Sequence, residues 1–121
     1  MNFKKAGRSF QFAFKGLGWL LMHENNFKIH ILVAFIVSGI GFWLKISTAE
    51  WHVVLLLIGM MLATEAFNSA IEQLCDALSP AYNPLIGRVK DLAAAGVLVI
   101  AITAVSIGSW IFLPKIWVLI F

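Results

Sequence analysis

The sequence predicts an all-α membrane protein, with an amphipathic N-terminal helix lying in the membrane interface and three transmembrane helices after it. Three observations predict this class. Hydrophobic residues make up 61% of the chain and charged residues 12%, whereas soluble domains carry roughly 25% charged residues; a water-soluble fold of 121 residues could not bury that much apolar surface. Apolar runs at about 29–44, 51–75 and 92–113 approach the length needed to cross a bilayer and are separated by short polar stretches. The cations Lys4, Lys5, Arg8, Lys15 and Lys28 all precede the first long run, a placement that suits anionic headgroups better than nucleic acid. The length fits one domain, 1–121.

Residues 2–23 form the surface element. Lys4, Arg8, Gln11 and Lys15 recur at helical spacing as a polar stripe, with Phe3, Phe10, Phe14, Leu17 and Leu21 mainly opposite. A basic stripe facing aromatic and aliphatic residues suits a helix in the membrane interface. The segment is charged and amphipathic, unlike a signal peptide. Glu24, Asn25 and Asn26 then interrupt the apolar pattern, and a bend into the first span is expected there.

Lys45 to Glu50 reads as a brief connection, with Glu50 a solvent-facing loop charge. The second span follows from Trp51 to Cys75, and Asp76 to Asn83 is a loop rich in turn residues. Asn83 before Pro84 starts the third helix, a capping side chain followed by proline at the first helical position. Pro114 is expected to end that helix near Phe112. Its first turns, with Arg88, Lys90 and Asp91, extend beyond the hydrocarbon, and Ala93 to Gly96 supply small residues for close helix packing. The positive-inside rule puts the N-terminus and the Arg88–Lys90 end in the cytoplasm. Cys75 has no intrachain partner and no neighbours at metal-ligand spacing. His23, His30 and His52, like most of the tryptophans, read as interface residues.

The second span is anomalous for a membrane helix. Glu65, Asn68, Glu72 and Asp76 share one face at about 100° per residue, with Ser69 beside the stripe. Carboxylates in hydrocarbon are costly and mark functional sites. Asp76 sits at the cytoplasmic end, and Glu65 lies roughly 16 Å deeper. Glu72 and Asp76 suit a hard cation such as Mg²⁺, Arg88 and Lys90 suit phosphate, and the deeper Glu65 suits a general base acting on a lipid hydroxyl. Periodicity by itself leaves open a proton- or cation-coupled transporter that uses Glu65 and Glu72, and a non-catalytic assembly subunit. Lys90-Asp91 beside the acidic helix favours a kinase.

The segment Glu65-Ala66-Phe67-Asn68-Ser69-Ala70-Ile71-Glu72, followed by Asp76 and Lys90-Asp91, resembles the signature of the prokaryotic diacylglycerol kinase and undecaprenol kinase family. The likeness covers nearly the whole chain and includes Lys15-Gly16 and Glu24. It implies one lipid-kinase domain in the plasma (inner) membrane, working as a homotrimeric helical bundle with sites completed between subunits. It implies ATP as phosphoryl donor, Mg²⁺ or Zn²⁺ held by Glu24 and Glu72, and a membrane lipid alcohol as acceptor. In the roles it implies, Glu65 is the catalytic base and Asn68 positions both that base and the lipid. Ser69 and Ala94 adjoin the lipid. Lys15, Gly16, Asp76, Arg88, Lys90 and Asp91 surround the nucleotide. There is no Walker A loop. The chain departs from the diacylglycerol kinases of proteobacteria at His30, where they tend to carry an acid, and in the stretch Leu92 to Ala95, where they tend to carry serine. Both departures lean the expected substrate toward undecaprenol, with diacylglycerol the alternative.

Overall fold

The structure, a computed structural model, describes residues 2–121. Four helices follow one another: α1 (Phe3–His23), α2 (Asn25–Trp43), α3 (Thr48–Leu78) and α4 (Pro84–Ile120). The last three are long and apolar enough to cross a membrane. The order of elements expected from sequence is therefore present, although several boundaries differ.

Asn2 caps α1 by accepting from the Lys5 amide. Almost all of α1 is exposed, Leu20 alone being buried, and the helix touches the rest of the molecule chiefly through α2. The break after α1 is one residue, narrower than the expected Glu24–Asn26 interruption. Glu24 is extended, and Asn25 and Asn26 already belong to α2. Although Glu24 stands at the N-cap of α2, its carboxylate makes no capping hydrogen bond, so both oxygens remain available.

α2 ends in a Schellman turn. The Ile46 amide donates to Gly41 O at 3.1 Å and the Lys45 amide to Phe42 O at 3.2 Å, with Lys45 left-handed at φ 51°, the geometry such a turn requires at that position. Ser47 then caps α3 reciprocally. Its hydroxyl accepts from the Glu50 amide at 3.2 Å, and its own amide donates to Glu50 Oε2 at 2.7 Å. Glu50 is therefore a helix-capping residue and not the loop charge expected. Its other oxygen accepts from Lys115 Nζ at 2.6 Å.

α3 packs along α4 as an antiparallel pair, and α2 lies on α3. Asn83 caps α4 through Leu85 and Ile86, with Pro84 at the first position. The helix does not stop at Pro114 but continues to Ile120. A proline there leaves the carbonyl of Trp110 without its helical partner. Any irregular backbone at that depth would leave more groups unpaired, and membrane helices tolerate interior proline for this reason.

Ion pairs close both ends of the α3·α4 pair: Glu50–Lys115 at 2.6 Å and Asp76–Lys90 at 2.8 Å. Along α3 the two acids are roughly 39 Å apart at about 1.5 Å per residue. That exceeds a hydrocarbon core of about 30 Å, so both pairs reach headgroup depth while the segment between them spans lipid.

Candidate active site

α3 carries every buried polar side chain among the described residues. Glu65 is 1% exposed, Ser69 2% and Asn68 6%. The deeper part of the sequence stripe is thus turned inward, while Glu72 is half-buried and Asp76 exposed. Asn68 Nδ2 donates to Glu72 Oε1 at 3.2 Å, one turn along the same face. Asn68 Oδ1 and Ser69 Oγ, both buried, have no hydrogen-bond partner. An orphaned buried acceptor and hydroxyl beside a buried carboxylate are costly unless a ligand completes them.

Glu65 is enclosed from α2 as well. His30 Nε2 lies 3.9 Å from Glu65 Oε2. Asn26, one helical turn earlier, is also close enough to act on the carboxylate, as are the acids Glu72 and Glu24. Neither Asn26 nor His30 was assigned to the site from sequence. The i, i+4 spacing of two polar residues on an apolar helix was the available signal, because it places both on one face. From α4, Gly96 faces Thr64, with room for a methyl at 3.8 Å from Cγ2. The small-residue stretch of α4 thus passes at the level of Glu65.

At the end of α3, Lys90 Nζ reaches Asp76 Oδ1 at 2.8 Å, with both side chains partly exposed. Acid and cation are thereby assembled roughly 16 Å along α3 from Glu65. The remaining expected nucleotide residues stand apart from this cluster. Lys15 is exposed on α1 with Nζ 5.7 Å from the centroid of the Phe12 ring, and Gly16, Arg88 and Asp91 are exposed, as is Ala94, the residue expected beside the lipid. Among the described residues Lys15, Arg88 and Asp91 form no ion pair.

An apolar groove of about 530 Å³ runs between α2, α3 and α4. Val37, Val54, Leu57, Ala104 and Ile116 are among its walls, and His30 is its one ionisable lining residue. The groove therefore leads from lipid depth to the side chain that faces Glu65.

Among the described residues no three His, Cys, Asp or Glu side chains gather as a ready-made metal cage. The donors at hand are the free Glu24 carboxylate and Glu72, whose Oε1 is shared with Asn68. Two carboxylates suit a hard divalent cation that keeps waters and substrate phosphates in its shell.

Residues 11–112 match the model of the prokaryotic diacylglycerol kinase family. The chain is 38% identical over 109 residues to undecaprenol kinase of Bacillus subtilis, covering 90% of this chain and 89% of that protein. It is 29% identical over 109 residues to diacylglycerol kinase of Synechocystis, covering 89% of this chain and 62% of the relative. With diacylglycerol kinase of Escherichia coli K12 the identity is 29% over 94 residues, covering 78% of this chain and 77% of that enzyme.

Proposed function

The chain belongs to the prokaryotic diacylglycerol kinase family and is an integral membrane lipid kinase, and from that premise we propose that it transfers the γ-phosphoryl group of ATP to undecaprenol at the cytoplasmic face of the membrane. One observation carries this reading. A carboxylate buried at lipid depth has orphaned polar atoms beside it, an apolar groove reaching its neighbour His30, and an acid–cation pair at the water-facing end of its own helix.

In the proposed reaction the lipid enters with its chain along the groove and its hydroxyl among Glu65, Asn68 and Ser69. Glu65 takes the hydroxyl proton. The lipid oxygen forms a bond to the γ-phosphorus as the bond to the β,γ-bridging oxygen breaks, and ADP leaves with that electron pair. Undecaprenyl phosphate and ADP are the products, and the proton departs through Glu65. Positioning and charge neutralisation dominate such transfers. Asn68 holds the lipid oxygen beside the base while its Nδ2 stays on Glu72. Lys90 leaves Asp76 for the phosphates, freeing Asp76 for the adenosine side of the nucleotide. Glu24 and Glu72 would hold a divalent cation such as Mg²⁺, which would supply neutralisation of the phosphoryl oxygens.

Lys15, Gly16, Arg88 and Asp91 complete the nucleotide site and Ala94 adjoins the lipid in an assembled homotrimer, since within one chain they stand open. The whole chain acts as one kinase domain. Lys4, Lys5, Arg8, Lys15, Lys28, Arg88 and Lys90 gather toward one face, against Lys45 and Lys115 at the other, which supports a cytoplasmic N-terminus and active site. The higher identity to an undecaprenol kinase than to diacylglycerol kinases supports the choice of lipid.

The test uses purified protein in mixed micelles with labelled ATP, Mg²⁺, and either undecaprenol or dioleoylglycerol. Faster labelling of undecaprenol is expected. A higher rate with dioleoylglycerol reverses the substrate assignment, and no labelled lipid with either overturns the kinase reading.

A further inference from the structure

His30 occupies an unusual place. It projects from α2 into the groove, whose other lining residues are almost all aliphatic, its side chain is about four-fifths covered, and its ring makes no hydrogen bond among the described residues. An imidazole in apolar surroundings is unfavourable without a polar partner. The one charged group within ion-pair distance is Glu65, at 3.9 Å between Nε2 and Oε2. That distance is longer than a hydrogen bond, and catalytic contacts often tighten only when substrate is bound. Glu65 in turn has no other ion-pair partner among the described residues. Asn68 is turned to Glu72, and Lys90 is held by Asp76.

We propose that His30 is a positioning residue for the phosphoryl transfer: its Nε2–H, donated from α2, holds the Glu65 carboxylate toward the mouth of the apolar groove, where the lipid hydroxyl arrives. The inference rests on the reading of Glu65 as base and adds to it a reason for the carboxylate's orientation. Free on its own helix, a glutamate samples several rotamers, and only those facing the groove can meet a hydroxyl whose chain lies there. With Asn26 one turn away on the same face of α2, His30 limits that choice. His30 also lies where groove and base meet, so its contribution appears in turnover and leaves ATP binding unaffected.

The test compares wild type with His30→Leu, His30→Gln and Glu65→Gln, measuring kcat and both KM values in mixed micelles of undecaprenol and MgATP. His30→Leu is expected to lower kcat by roughly tenfold to a hundredfold, the scale of a misplaced reacting group, with KM for ATP unchanged. His30→Gln, which restores an N–H near the position of Nε2, should recover most of the loss. Leucine activity within about twofold of wild type, a margin small beside the expected change, or equal losses with leucine and glutamine, overturns the proposal. If Glu65→Gln keeps full activity, it is the base reading that fails. If Glu65→Gln is inactive and His30→Leu unimpaired, the positioning role alone fails. A second measurement needs no variant of His30 to fold: the ring ¹⁵N resonances of His30 in wild-type protein and in Glu65→Gln. A displaced Nε2 resonance is expected, and coincident spectra overturn the contact.

Discussion

Replacing Gly41 tests how α2 is seated on α3. A Cβ at this position would lie 3.1 Å from both Cη2 and Cζ2 of Trp51 and 3.2 Å from Cδ1 of Ile46, whereas carbon atoms in contact rest roughly 3.5–4.0 Å apart. Alanine therefore drives the indole and the isoleucine methyl back by a few tenths of an ångström. Overpacking of this kind costs about 1–3 kcal/mol, and replacing a helical glycine returns about 1 kcal/mol. Gly41→Ala should thus lose a net of about 0–2 kcal/mol. Gly41→Leu cannot be absorbed so locally. Ile46 is buried, and its amide is tied to Gly41 O at 3.1 Å, so the Schellman turn must open. A loss of about 3 kcal/mol or more is expected. The assay is unfolding of the purified protein in mixed micelles by increasing mole fraction of dodecyl sulfate, followed by tryptophan fluorescence. Because α2 also carries Asn26 and His30 to Glu65, the leucine variant should lose turnover as it loses stability. A leucine variant that unfolds at the wild-type detergent fraction would refute the close approach.

Ser47→Ala should destabilise by about 1 kcal/mol, read in the same titration, because it removes one half of the reciprocal cap on α3. Lys45→Gly should stabilise by about 1 kcal/mol, since lysine is held at φ 51° where side chains are disfavoured. Lys90→Met should raise KM for ATP by roughly tenfold, with KM for lipid unchanged, as expected for loss of a charge-assisted phosphate contact. Chelation of divalent cations should abolish turnover and added Mg²⁺ should restore it, with Glu72→Gln needing more Mg²⁺ to reach half-maximal rate.

The helices were legible because lipid imposes lengths and apolar runs, and Asn83 with Pro84 marks the start of α4 with capping chemistry; the Ser47 cap on α3 was not read, since Lys45 to Glu50 reads as a connection. The boundaries that differed did so for local reasons. Pro114 stops helices in water, where carbonyls find other partners, but in hydrocarbon the helix is the best remaining option. Glu50 looked like a loop charge because a sequence cannot reveal that Lys115, far along the chain, returns to meet it. The acidic stripe of α3 was legible because its residues share one helix and the 3.6-residue period fixes their common face. His30 was not, because its partner Glu65 is on another helix, and a histidine near a predicted membrane boundary has a simpler explanation at the headgroups. Where α1 lies relative to the stripe has no periodic signature, because α1 touches the rest of the molecule chiefly through α2.

The role of Glu65 is tested most directly by single-turnover transfer of the γ-phosphoryl group to undecaprenol by Glu65→Gln, alongside a measurement of nucleotide binding by the same variant. Glutamine keeps the size of the side chain and its hydrogen-bonding reach but cannot accept the hydroxyl proton. ATP binding is expected to stay at the wild-type level while transfer falls by about 10²–10⁴-fold, the usual contribution of a general base. Transfer at the wild-type rate would contradict the assignment and leave the burial of this carboxylate without a catalytic reason.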